Sequence, residues 1–510
     1  MLQNCRFHSG LTARPSSSER LLCAPPRRLL SPRPARRVGL VARAEFQSSA
    51  AATEAAPAPA PKPRSSSGSD SDSDEAGGGA LALQERDSAF WQAPRDYKKA
   101  VMLQGFAWDS CFKNAWYNTV ASKVDAIKAA GVTHVWLPPP SQSVAPQGYL
   151  PGQLYNLNSK YGSRDQLVRL TQALRAAGIK PIADIVINHR CADEQEGGVW
   201  NRFRDDVDHQ GRRLDWGRWA ITCNDPDFKG SGNPDTGDDY GAAPDLDHAN
   251  PELRAALVDW LGWLQRDIGF EGWRLDFVRG YGAQFVTQYV DATVGADSLN
   301  VGEYWVDLVW AGGGHLEYNQ DAARQRLCDW IKANGERCCA FDFPTKGLLQ
   351  EAVKRGQYDR LRDRQGKAPG LLGWWPGKAV TFIENHDTGS TQQHWPFPSS
   401  HVGAGYAYML THPGVPCIFW DHLFDWGDDL RRAIAGLVAL RRRAGLAADS
   451  KLEILAAEPD MYVARVGGRV TVKLGPRYDM GGLLPKEAEG WKFVMSGKDW
   501  AVWEKANKAS

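Results

Sequence analysis

The segment Gly272-Trp273-Arg274-Leu275-Asp276-Phe277 sets a guanidinium and a carboxylate two positions apart within an apolar run. On a β-strand alternate side chains share a face, so Arg274 and Asp276 are expected to project together while Leu275 and Phe277 project to the other side. A cation beside a carboxylate favours its ionised form, and an ionised carboxylate can attack carbon. A purely structural ion pair has the same appearance, so this pair alone leaves both readings open. Three further polar clusters bear on the choice: Asp184-Ile185-Val186-Ile187-Asn188-His189, Gly302-Glu303-Tyr304-Trp305 and Glu384-Asn385-His386-Asp387. Each closes a strand-like run. A short acidic loop is ordinarily just solvated, and only the four clusters together at neighbouring strand ends point to a site.

Bringing four strand ends together requires a closed scaffold. From about Lys99 the chain alternates between strand-like and helix-like texture. Val101–Phe106 is followed by a helical pattern over Trp116–Ala130 that stops at Gly131, and Val132–Leu137 stops at Pro138-Pro139-Pro140. A helical stretch over Leu167–Ala177 ends at Gly178, and Pro181–Ile187 is the third strand. Apolar runs at Gly272–Phe277, Leu299–Val301, Ala340–Phe343, Ala379–Ile383 and Pro416–Trp420 complete eight strands separated by helices. The pattern predicts an α/β fold, a (β/α)8 TIM barrel over residues 97–189 and 251–445, whose active site would lie at the C-terminal strand ends. After Arg443 short strands with glycine turns (Tyr462–Val466, Arg469–Leu474, Lys492–Met495, Trp500–Trp503) predict a small antiparallel domain over 446–510.

Residues 190–250 break the rhythm. They are rich in Gly, Asp, Asn and Arg with no helical period, and loops that long are usually functional. Asp225, Asp235, Asp238, Asp239, Asp245 and Asp247 crowd there, with Gly237 and Gly241 for tight turns. Such a density of carboxylate and carbonyl oxygen suits Ca2+, and no His/Cys set suited to zinc is evident. A solvated acidic loop is the alternative.

Residues 1–44 carry nine arginines and one acid, Glu19, and end in Val41-Ala42-Arg43-Ala44. The apolar pairs Leu21-Leu22 and Leu29-Leu30 are split by Pro25-Pro26-Arg27-Arg28, so there is no secretory apolar core, and the composition fits an organelle transit peptide, with a basic arm as the alternative. Residues 45–90, with Ala-Pro alternation, a Ser/Asp run and Gly77-Gly78-Gly79, read as a disordered linker. A formal net charge of +1 gives no field for nucleic acid, and no uninterrupted apolar stretch approaches the roughly 20 residues of a membrane span. The nine cysteines are scattered and odd in number, which suits buried reduced thiols. Twenty-one tryptophans raise the prospect of flat aromatic faces for sugar rings.

The four clusters, in order and spacing, resemble the signature regions of the α-amylase family of glycoside hydrolases, and the resemblance extends over nearly all of residues 97–505. Ala183–His189, Asp245–His248 and Thr388–Gln392 are similar to the plant and green-algal type almost letter for letter. The resemblance implies Asp276 as nucleophile, Glu303 as general acid/base and Asp387 as a third carboxylate that binds sugar hydroxyls and supports the transition state. It also implies Arg274, His189 and His386 at the substrate, Tyr149 and Trp305 as stacking platforms, and Trp374-Trp375 as a surface starch-binding pair, with Tyr478 a further sugar contact. Retaining glycoside hydrolysis needs one ionised carboxylate and one protonated acid about 5–5.5 Å apart. Neighbouring carboxylates do not all ionise cheaply, so Glu303 is expected to hold the proton and Arg274 to keep Asp276 ionised.

The resemblance further implies a main calcium on Asn188, Asp235, Asp245 and the carbonyls of Asp238 and Gly280. A neighbouring calcium would use Asp225, Asp239 and Asp245 with the carbonyls of Tyr240 and Ala243. Residues 204–215 mix Asp205, Asp206 and Asp208 with Arg212 and Arg213 and are not given a calcium. Two departures stand out: Glu384 replaces an Asp of the plant type, and Gln142 an expected His. The expectation is a calcium-dependent α-amylase, monomeric and plastid-targeted, cleaving internal α-1,4 bonds of starch with retention and engaging neither membrane nor nucleic acid. The alternatives are a related transglycosylase or debranching enzyme and, in another class, a non-catalytic starch-binding protein.

Overall fold

The computed structural model describes residues 97–506. The expected transit peptide (1–44) and linker (45–90) lie outside the described residues. Eight parallel strands, Met102–Gln104, His134–Leu137, Lys180–Ile185, Trp273–Leu275, Val301–Gly302, Cys339–Phe341, Ala379–Thr381 and Val415–Phe419, close into a barrel in which each pairs with its sequence neighbours. The first strand closes on the eighth through Met102 opposite Cys417, Leu103 opposite Ile418 and Gln104 opposite Phe419. Nearly every residue of these strands is buried, as a sheet covered by helices on its outer face requires.

The helices start where the sequence supplies caps. Ser163 and Gln166 exchange side-chain and backbone bonds at the start of Arg164–Ala176, and Asn250 caps Pro251–Trp263, with Pro251 in the first turn where its missing N–H costs nothing. The fourth strand is shorter than its apolar run. It ends at Leu275, and Phe277 turns the chain with a φ of 41°, a left-handed conformation that non-glycine residues seldom adopt. Asp276 therefore stands just beyond the strand, and strand alternation is not what aims it.

The excursion after the third strand contains a small hairpin (Glu194–Glu196 with Val199–Arg202) and isolated pairings, of which His189 with Asp245 ties it back to the barrel end and Ile221 with Leu246 closes it on itself. The C-terminal sheet has five antiparallel strands in the order Leu452–Glu458, Met461–Val466, Val470–Leu474, Trp500–Lys505, Trp491–Gly497. It carries one more strand than its sequence pattern indicates. His412 reaches from the barrel to the Tyr462 hydroxyl at 2.8 Å. Among the described residues no helix is long and apolar enough to cross a membrane. Seven described cysteines are all unbonded, and all but Cys223 are buried.

Candidate active site

Register puts the site together. Asp184 on the third strand lies level with Arg274 on the fourth, and Leu275 lies level with Gly302 on the fifth, so that Glu303 leaves its strand beside Asp276. Arg274 is wholly buried and its Nη1 donates to Asp184 Oδ1 at 2.7 Å and to Asp276 Oδ1 at 2.6 Å. Its Nη2 lies 2.6 Å from Glu303 Oε1, but neither atom makes an aligned hydrogen bond. The indole of Trp136 lies 4.9 Å beneath the guanidinium. Arg274 thus meets two carboxylates besides Asp276: one cation is shared by three, because adjacent strands deliver all three to its fork.

The oxygens left over are informative. Asp276 Oδ2 and Asp387 Oδ1 are buried and bonded to no protein group. Burial pushes the Asp276 carboxyl well up, with Arg274 opposing and the charges of Glu303 and Asp184 adding to the rise. Burial likewise raises Asp184 to about 6 and Asp387 to about 8, the latter helped by Glu303. A single guanidinium among four buried carboxylates cannot neutralise them all, so the group holds protons in the neutral range.

Around the acids stands an aromatic wall. The rings of Tyr149 and His386 are parallel at 5.2 Å, and Trp108, on the segment after the first strand, lies parallel to both at 6.1 and 6.0 Å. The Tyr149 hydroxyl donates to Asp184 Oδ2 at 2.8 Å. Gln104 meets His386 Nδ1 at 3.0 Å, and His386 Nε2 lies 3.4 Å from Asp387. His189 is buried, with Nε2 2.9 Å from the Tyr149 carbonyl and its ring 3.9 Å from that of Tyr240. Burial lowers it to about 4, so it is a neutral ring that steadies the Tyr149 segment. Trp108 and Asp184 are the site members that motif reading left without a role.

The remaining residues are dispersed. Trp305 is half-buried against Phe343 at 4.7 Å. Trp374 and Trp375 are half-buried, and Arg324 covers the Trp374 ring at 4.0 Å. Tyr478 is 95% exposed in the connection after the C-terminal strand Val470–Leu474. The Gln142 amide oxygen accepts from Gln153 N at 3.0 Å, so this side chain braces a loop.

In the excursion, Asn188 Oδ1 is buried without a hydrogen-bond donor and faces Gly280, where a Cβ would approach it to 1.9 Å. Asp245 is raised to about 9 by burial and by the charges of Asp225, Asp235 and Asp239. The Asp238 carboxylate is turned away to Arg279 at 2.7 Å, and the backbone N–H of Tyr240 donates to Asp245 Oδ2 at 3.0 Å. Among the described residues no three His, Cys, Asp or Glu side chains form a ready cage by themselves. An orphaned amide oxygen, mutually repelling carboxylates and a glycine at closest approach fit a hard cation that also uses Asn188 and backbone carbonyls. In residues 204–215 arginines take the corresponding place: Arg212 binds Asp208 at 2.7 Å and Arg190 binds Asp206 at 3.2 Å.

Residues 113–295 match the family described as "Alpha amylase, catalytic domain", and residues 443–504 match "Alpha-amylase C-terminal beta-sheet domain". A protein of Arabidopsis thaliana named "Probable alpha-amylase 2" is 46% identical over 409 residues, which cover 80% of this chain and 94% of that protein. "Alpha-amylase 3, chloroplastic" of the same plant is 44% identical over 406 residues, covering 79% of this chain but only 44% of the relative. In three dimensions the chain resembles an alpha-amylase from Geobacillus thermoleovorans solved with acarbose, with a TM-score of 0.57 at 16% identity, covering 81% of this chain and all of the other. At that identity the likeness speaks for the fold.

Proposed function

The chain belongs to the α-amylase family of starch-hydrolysing enzymes, and from this we propose that it cleaves internal α-1,4-glucosidic bonds with retention, using Asp276, Glu303 and Asp387. The observation that carries the reading is the division of labour at Asp276. Oδ1 is held by Arg274 while Oδ2 is buried and unclaimed, as an oxygen that must attack a sugar carbon would be. Two acids that reach neighbouring nitrogens of one guanidinium suit the about 5–5.5 Å separation of retaining enzymes better than the about 6.5–9.5 Å of inverting ones.

The acid/base role is given to Glu303 because Asp276 Oδ1 accepts an aligned hydrogen bond from Arg274, whereas the contact of Glu303 with the same guanidinium lacks that alignment. The proton passes from Glu303 to the leaving oxygen as Asp276 attacks, and the resulting carboxylate of Glu303 then draws a proton from the water that releases the sugar. Asp387, with a free Oδ1, accepts sugar hydroxyls, and the Trp108–Tyr149–His386 stack offers a wall to the ring in the cleaving position. Trp305 is a second stacking surface, and Trp374, Trp375 and Tyr478 are more distant sugar contacts.

Calcium is part of the proposal. Asn188, Asp235, Asp245 and the carbonyls of Asp238 and Gly280 would hold one ion, and Asp225, Asp239 and Asp245 with the carbonyls of Tyr240 and Ala243 a second. Bound by these residues, calcium would cross-link the excursion to the segment after Asp276 and would take no part in bond making. The site is complete within one chain, which supports action as a monomer. Plastid import is supported by the composition of residues 1–44 and by the likeness to a relative named as chloroplastic.

The test is a product profile from soluble starch with anomeric configuration recorded. Internal cleavage with α-configured hydrolysis products is expected. β-configured products would overturn retention, and transfer products in place of free sugars would favour a transglycosylase.

A further inference from the structure

Lys346 is a fully buried lysine that the proposed chemistry does not use. It lies on the helix Phe343–Arg355, which follows the sixth strand. Burying a lysine amine is costly in either protonation state unless its hydrogen bonds replace those to water, so its partners indicate its purpose. They are the Gln350 side-chain oxygen, the Trp395 carbonyl at 2.6 Å, and the face of the Trp395 ring at 3.8 Å. Burial pushes the Lys346 amine well below the usual lysine range, and the acid whose charge opposes this is Glu384. Beside it Gly347 has no side chain, and a Cβ there would come within 2.8 Å of the Trp395 ring and 2.9 Å of Leu316. Trp395 is thus seated on the helix by a glycine that admits its ring and a lysine that grips its carbonyl.

Trp395 closes the loop that begins at Asp387. Within that loop the backbone turns back on itself, with the N–H of Trp395 donating to the Thr388 carbonyl at 3.1 Å and that of His394 to the Asp387 carbonyl at 3.3 Å. Ser390 and Gln393 are both left-handed at φ 52°, so the loop has a shape it would not hold unaided. Its far end is pinned by Glu384, whose Oε1 accepts from Phe397 N at 2.5 Å while Oε2 lies 3.0 Å from His422. His422 in turn meets the Tyr406 hydroxyl at 2.9 Å. Gly389 packs against Glu384 so closely that a Cβ would reach Oε2 at 2.5 Å.

We propose that Lys346 is a positioning residue for Asp387: with Glu384 at the other end, it clamps the 388–397 loop so that the Asp387 carboxylate stays beside Glu303 and Arg274. The inference rests on the glycosidase reading given above. It also assigns a purpose to Glu384, whose side chain is one methylene longer than that of the plant-type Asp. The extra length lets one carboxylate span Phe397 N and His422.

The experiment compares kcat and KM on soluble starch for the full chain and for Lys346→Met, Lys346→Gln, Gly347→Ala, Asp387→Asn and the double variant Lys346→Met/Asp387→Asn, each normalised to the folded fraction from thermal melts. Displacing a catalytic group through a distant change can cost about 100-fold, so Lys346→Met is expected to lower kcat by about 10- to 100-fold. KM should move by no more than about threefold, because Asp387 acts chiefly in the transition state. Lys346→Gln, which keeps an N–H donor for the Trp395 carbonyl, should recover much of the loss, and Gly347→Ala, which displaces the Trp395 ring, should reproduce it. The double variant should be no slower than Asp387→Asn alone, because both changes act through one carboxylate. A Lys346→Met enzyme with kcat within about threefold of the wild type, or a double variant in which the two losses multiply, would overturn the proposal. If Lys346→Met does not fold, Gly347→Ala decides by the same kcat criterion. Failure of the wild-type chain to give α-configured hydrolysis products would instead sink the glycosidase reading, which separates the two outcomes.

Discussion

Asp184 and Arg274 stand level on adjacent strands and touch at 2.7 Å, with Arg274 Nη1 donating to Asp184 and to Asp276 together. Asp184 is therefore a fixed counter-charge that holds the guanidinium in place for the two acids beyond the strand ends.

Asp184→Asn should leave Asp276, Glu303 and Asp387 in place but free Arg274 to shift. A fall in kcat of about 100-fold, with a smaller change in KM, is expected from misplacement on the scale of 1 Å. Steady-state kinetics on soluble starch would show it, and unchanged kcat would mean that Arg274 is held by its other partners alone.

Removing the proton from Glu303 is a separate matter. Glu303→Gln should reduce hydrolysis by at least about 100-fold, the range attributed to a positioned general acid, while retaining starch binding in a sedimentation assay. Appreciable turnover by this variant would require another acid.

The calcium reading predicts that chelation lowers Tm and activity together, since a ligand bound only to the folded state at 100 times its Kd adds about 2.7 kcal/mol. Gly280→Ala, which would drive a methyl group to within 1.9 Å of Asn188 Oδ1, should lower Tm and blunt the response of Tm to added calcium. A melt indifferent to both chelator and calcium would count against the site.

Asp387 gives a pH signature. Its folded carboxyl is raised to about 8, whereas an unfolded aspartate titrates near 3.9. Between those values the folded state binds the extra proton, so stability is greatest at the acid end of the window and falls as pH rises toward 8. Asp387→Asn removes that linkage. In saturating calcium, the decline of Tm from about pH 4.5 to 8 should be shallower in this variant than in the wild type. Parallel slopes would show that the group does not titrate in this window.

The barrel was legible because its parallel strands are continuous apolar runs punctuated by glycine and proline, and the acids were legible because they follow those runs. What the pattern could not show was register. That Asp184 lies opposite Arg274, and that Glu303 reaches the same guanidinium, depends on pairings between strands separated by about 90 residues in one case and about 30 in the other. Trp108 escaped notice for a similar reason, since a tryptophan opening a short 3-10 turn after the first strand carries no sign of the His386 ring it will face. The strand Leu452–Glu458 was hidden by its own composition: Leu452-Glu453-Ile454-Leu455-Ala456-Ala457-Glu458 is made largely of helix formers, and pairing with Met461–Val466 overrides them.

Phe277 turns left-handed immediately after Asp276, and its amide lies 3.4 Å from Glu303 Oε2 while its ring meets Tyr240 at 5.5 Å. A left-handed phenylalanine costs roughly 1–2 kcal/mol that a glycine would not. The position is thus one where easier backbone geometry and a well-held nucleophile are opposing demands. Selection for heat resistance alone would tend to relax this turn, and selection for turnover would keep it tight, so residue 277 is a place where adaptation to temperature and adaptation to speed can be told apart.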